Sequence, residues 1–68
     1  MWTEKEVKIG LPALTVRHAG KNYRGVLAGD RGQFAKVTIF RHRDDWQNWE
    51  WSWDAIVRSL NTHTPLTT

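Results

Sequence analysis

Between Arg24 and Trp46 the chain interleaves cations with aromatic rings: Arg24, Arg31, Phe34, Lys36, Phe40, Arg41, Arg43 and Trp46. That mixture suits a nucleic acid, because cations meet phosphates while flat rings stack on bases at about 1–3 kcal/mol per base. Rings and cations cooperate only if they share a surface, and strand parity decides this, since successive strand residues point to opposite sides. Two β-prone runs, Tyr23 to Ala28 and Gln33 to His42, flank Gly29-Asp30-Arg31-Gly32. A three-residue loop, Asp30-Arg31-Gly32, with Gly32 left-handed, pairs Ala28 with Phe34, Val26 with Lys36 and Arg24 with Thr38. Arg24, Phe34, Lys36, Thr38 and Phe40 then face one way, bordered by Arg31 at the loop and by Arg41 and Arg43 beyond the strand. Tyr23, Leu27, Ala35, Val37 and Ile39 face the other way, as core. A one-residue slip would reverse one strand against the other. The competing arrangement seals Phe34 and Phe40 beneath the N-terminal strands as a second core layer.

Four tryptophans fall within eight residues, Trp46, Trp49, Trp51 and Trp53. Trp49, Trp51 and Trp53 share strand parity and supply core mass, each aromatic removing roughly 150–250 Å² from water. Lining an open cleft, they would instead form a cage for a cation or carbohydrate. Trp46 has the opposite parity, on the solvent side, and is a candidate contact residue.

Catalytic constellations are missing. No nucleophile is paired in sequence with a base, and there is no glycine-rich phosphate loop. Asp44 and Asp45 adjoin in a turn, where carboxylates are solvated. His18, His42 and His63 lack ligand spacing, and without cysteine neither disulfides nor a thiolate zinc site can form. The expectation is a protein that is not an enzyme and carries no metal or cofactor.

A single domain spanning 1–68 must hold these residues, and a chain this short buries only about 60% of its unfolded surface. Val7, Ile9 and Leu11 alternate with polar residues and predict a short edge strand. Ala13–His18 predicts a second strand, closed by a turn at Ala19-Gly20-Lys21-Asn22. Val37-Thr38-Ile39-Phe40 is rich in β-formers. Ser52 or Asp54 caps a short helix bearing Ile56, Val57 and Leu60, which must dock on the sheet over the tryptophans because it is too short to persist alone. Thr64–Thr68 is a last edge strand or a frayed tail. The fold class is therefore α+β: a small, curled antiparallel sheet or barrel of four or five strands, SH3-like or OB-like in shape, with one short C-terminal helix.

The net charge of +3 is unevenly spread: residues 17–43 carry seven lysines and arginines against Asp30 alone, whereas 44–68 carry Arg58 against Asp44, Asp45, Glu50 and Asp54. Such asymmetry steers an anionic partner to one region. Tyr23-Arg24-Gly25-Val26 followed by Gly32-Gln33-Phe34-Ala35-Lys36-Val37 faintly resembles the plant-type AP2 domain, which sets a three-stranded sheet into the DNA major groove. The chain departs from that family at Leu27-Ala28-Gly29, where the family carries arginines, so the likeness is one of hairpin chemistry and not of kinship.

No run approaches the ~20 apolar residues of a membrane helix, and residues 1–15 lack the long apolar run expected of a signal peptide. The expected setting is cytoplasmic, with no membrane partner. The leading expectation is a small nucleic-acid-binding accessory protein, for DNA or RNA, using Arg24, Arg31, Phe34, Lys36, Phe40, Arg41, Arg43 and Trp46. The alternative is a protein–protein interaction module, a phage- or plasmid-type factor docking on a host protein through Trp46, Phe40 and Arg43.

Overall fold

Val37-Thr38-Ile39-Phe40 lies inside the sheet. In the computed structural model, which describes residues 1–68, the elements are α1 (Glu4–Gly10), β1 (Leu14–His18), β2 (Lys21–Arg31), β3 (Phe34–His42), β4 (Asp45–Ser52), α2 (Trp53–Thr62) and β5 (Leu66–Thr67). The strands form one sheet in the order β4-β3-β2-β1-β5. β1 to β4 are an antiparallel meander, whereas β5 joins β1 in parallel, Val16 opposite Leu66. The expected α+β class with a curled sheet and a C-terminal helix is thus found, but the sheet is mixed rather than antiparallel and there are two helices.

The second helix is a correction. Residues 4–10 are α1, where alternation at Val7, Ile9 and Leu11 had predicted an edge strand. Thr3 overrides that pattern: its hydroxyl accepts from the Glu6 amide at 3.3 Å, and Thr3 and Glu6 stand at the spacing of a capping box. Glu4 and Glu6 lie at the positive helix end and Lys8 near the negative one. Only Val7 of the three alternating residues is buried; Ile9 and Leu11 are exposed. Asn61 on α2 ties the segment down by accepting from the Trp2 amide at 2.7 Å and donating to its carbonyl at 2.9 Å.

One face of the sheet is the core. Leu14 and Val16 of β1, Ala35, Val37 and Ile39 of β3 and Leu66 of β5 close around Val7 of α1 and Trp53 and Ile56 of α2. Both helices therefore pack on this side. Gly25 sits in the middle, where a Cβ would lie 2.8 Å from Val37 Cγ1 and 3.2 Å from Val16 Cγ2, so the crossing admits no side chain. Ser52 caps α2, accepting from the Ala55 amide at 3.2 Å. Trp53 opens α2 rather than continuing the tryptophan strand, and its indole donates to Asp30 Oδ1 at 3.1 Å.

The sheet curls until its far edges nearly meet. From β4 the Trp51 indole donates to the Thr67 carbonyl of β5 at 3.0 Å, and Trp49 lies 5.5 Å from the His18 ring of β1. Side chains thus bridge a barrel that main-chain bonds leave open. Trp49 and Trp51 pack against the core and Trp53 lies within it, so these indoles fill space and form no cage.

The β2–β3 register corrects the expected loop. The turn has two residues, Gly32-Gln33, with Arg31 opposite Phe34. Gly32 is left-handed, φ +65, but as the first turn residue, a position that favours glycine when φ must be positive. Ala28 is an extra residue at a bulge between Leu27 and Gly29, and below it Val26 faces Thr38, not Lys36. Below the bulge that offset is two residues, an even number, so Arg24, Val26 and Leu27 keep the faces assigned to them, whereas Ala28 gives up its place opposite Phe34 to Arg31.

Candidate nucleic-acid interface

The second face of the sheet is open. β3 presents Phe34, Lys36, Thr38 and Phe40 there, because Ala35, Val37 and Ile39 occupy the core side. Phe34 is 49% exposed and Phe40 42% exposed, so neither ring belongs to a second core layer. β4 places Ser52, Glu50, Asn48 and Trp46 directly across from those four residues. β2 adds Arg31 opposite Phe34 and Val26 opposite Thr38. Arg24, one residue beyond the Gly25–Ile39 pair, comes level with Phe40, and Thr15 and Arg17 follow on β1.

Each phenylalanine therefore has an arginine beside it on β2: Arg31 by Phe34, Arg24 by Phe40. The two rings are six residues apart on one strand, or about 20 Å at the usual rise. Phe40 also has an aromatic neighbour on β4, since its ring and the Trp46 indole meet edge-on with centroids 5.2 Å apart. Trp46 is 67% exposed, and its indole donates to the Arg43 carbonyl at 3.3 Å.

Glu50 is the one carboxylate among the cations Arg17, Arg24, Arg31 and Lys36 on this surface. It sits 3.7 Å from Arg31, whose side chain reaches across β3 and stays 80% exposed. Arg24 and Lys36 enter no ion pair. Thr38 donates its hydroxyl hydrogen to Asn48, and Arg17 donates to Asn22 at 3.2 Å.

Six of the eight expected contact residues thus converge: Arg24, Arg31, Phe34, Lys36, Phe40 and Trp46. Arg43 is exposed in the β3–β4 turn at the border. Arg41 does not join them. It is the extra residue of a bulge between Phe40 and His42, and its guanidinium Nε faces Asp45 at 3.5 Å without a hydrogen bond. The expectation overlooked Arg17, although it alternates with buried Val16 and that parity was readable; Val26 was placed on this face but not counted as a contact.

The opposite side of the molecule holds a different cluster. Lys8 Nζ lies 3.0 Å from Glu4 and 3.1 Å from Asp30, and 4.8 Å from the centre of the Trp53 ring. Hydrogen bonds from the Trp53 indole and then from Lys8 lower the Asp30 pKa, and those to Glu4 and then Asp30 raise that of Lys8. The cluster fastens α1 to β2 and α2.

Phe34, Phe40 and Trp46 line no cavity, so this surface is a platform and not a cleft. No group of three or more His, Asp or Glu residues is arranged to hold a metal ion, and no helix is long and apolar enough to cross a membrane. Compared with protein-family models, with curated proteins and with solved structures, the chain matches none.

Proposed function

We propose that this protein is a small nucleic-acid-binding accessory protein, without catalysis of its own, that lays its open sheet face on its ligand. One observation carries the reading: Phe34 and Phe40 are solvent-exposed on the same uncovered face as Arg17, Arg24, Arg31 and Lys36. Solvent-facing phenyl rings cost stability in a domain short of core material, and a base offers them cover. Charge complementarity supplies the long-range attraction, and the single carboxylate opposing it is already engaged by Arg31.

Fluorescence anisotropy with labelled oligonucleotides tests this. Association at about 50 mM salt should weaken linearly on a log–log plot as salt rises, with about 0.7–0.9 of slope per phosphate neutralised. Arg24→Ala and Lys36→Ala should each flatten that slope, whatever the base sequence. No association at low salt would end the proposal.

A second reading draws on Trp46, Phe40 and Arg43, which adjoin one another at one end of the face. Exposed aromatics and arginine are enriched at protein interfaces. Capture of a protein partner that withstands nuclease and moderate salt, and is lost on Trp46→Ala, would favour this module.

A further inference from the structure

We infer that the ligand of this face is a single strand, laid along β3 with one base stacked at Phe34 and another at the Phe40–Trp46 pair; this rests on the nucleic-acid reading above. The face engages some of its polar groups and leaves others free. Duplex recognition reads base edges through hydrogen bonds, with asparagine and arginine as its usual instruments. Here Asn48 accepts from Thr38, Arg31 is drawn towards Glu50, and Asn22 accepts from Arg17. The side chains suited to reading edges are largely turned on each other.

What remains free is chiefly rings: Phe34, Phe40 and Trp46 are exposed, and of the cations on the face Arg24 and Lys36 make neither an ion pair nor a side-chain hydrogen bond. Rings present flat surfaces to flat surfaces, and the base faces of a duplex are already stacked on each other. A single strand exposes both its bases and its phosphates. Stacking platforms joined to a cationic track are the general solution for such strands, and they tolerate any sequence because every base has a π-face.

The spacing supports the assignment. Lys36 lies on β3 between the two ring stations, and Arg24 lies beside the second. A strand crossing from Phe34 to Phe40 therefore meets a cation in the interval and another at its end. The ~20 Å between stations spans more than two neighbouring bases, leaving phosphates over Lys36.

The test compares a labelled twelve-nucleotide oligothymidine, its ribo-uridine counterpart and a blunt DNA hairpin duplex, titrated with the wild-type protein and with Phe34→Ala and Phe40→Ala at about 50 mM salt. Both phenylalanines are exposed, and circular dichroism checks that each variant is folded. Expected are tighter binding of one or both single strands than of the duplex, and a loss of about five- to a hundredfold for single strands on removing either ring. Equal or tighter duplex binding that is indifferent to both substitutions would overturn the single-strand inference while leaving nucleic-acid binding intact. Binding of none of the three probes would overturn both.

Discussion

Trp46 and Phe40 stand directly opposite each other across β4 and β3, their rings 5.2 Å apart and inclined at 77°. This edge-to-face pair sits on the solvent side, so it is held by its own geometry and by the Trp46 bond to the Arg43 carbonyl. It also gives the β3–β4 hairpin a fixed register near its turn.

Such pairs contribute about 0.5–1.5 kcal/mol beyond the area they cover. Trp46→Ala should therefore lower the melting temperature by several degrees, given about 4–8 °C per kcal/mol for a domain of this size. Phe40→Leu should cost less in the Trp46→Ala background than in the wild type. Additive losses in that double-mutant cycle would show that the rings are merely near each other.

Glu50 offers a gain of function. It faces Lys36 across β3 and β4 and holds the Arg31 guanidinium at 3.7 Å. An incoming phosphate must compete with it. Glu50→Gln should raise oligonucleotide affinity and steepen its salt dependence while leaving the urea midpoint nearly unchanged, because an exposed pair contributes only about 0–1 kcal/mol. An unchanged or weaker affinity would argue that the anion does not pass this way.

Stability should respond to acid through Asp30. Its carboxyl, held by the Trp53 indole and Lys8, has a folded pKa below the ordinary 3.8. The stabilisation is complete above that ordinary value and is lost as the pH falls through the lowered one. Lys8 behaves inversely: its pKa is raised from 10.5, so its share is complete below that value and lost as the pH climbs past the raised one. Urea midpoints measured from neutral pH into acid should fall at the acid end for the wild type and fall less for Asp30→Asn. Parallel curves would show that the cluster adds nothing.

Gly25 predicts a core defect. A methyl group there meets Val37 Cγ1 at 2.8 Å and Val16 Cγ2 at 3.2 Å, both on interior strands with no room to retreat. Gly25→Ala should destabilise by about 1–3 kcal/mol, the usual cost of overpacking, read as a lower urea midpoint. Val37→Ala in the same chain should restore part of the loss.

Parity made the faces of β2 and β3 readable, because Ala35, Val37 and Ile39 could occupy only one side. The loop length was misjudged, since Gly32 suits either the end of a three-residue loop or the start of a two-residue turn. The error was harmless because the bulge at Ala28 and the shorter turn together offset the register by an even count. Misreading α1 had a different cause. Seven residues alternate by chance as readily as by design, and the Thr3–Glu6 cap outweighs hydrophobic pattern over so short a span. The approach of Trp46 to Phe40 and the withdrawal of Arg41 to Asp45 both depend on the β3–β4 bulge, which no local residue pattern announces.

The indole bridges from β4 to β1 and β5 have a dynamic corollary. Because Trp51 to Thr67 and Trp49 to His18 are side-chain contacts, the barrel's rims can part without breaking any ladder between them. Amide protons along β4 and β5 should then exchange with deuterium well before those of β2 and β3, whose strands are paired on both sides. Exchange in that order would mark one seam along which the molecule opens, with the rings that fasten it as the latch.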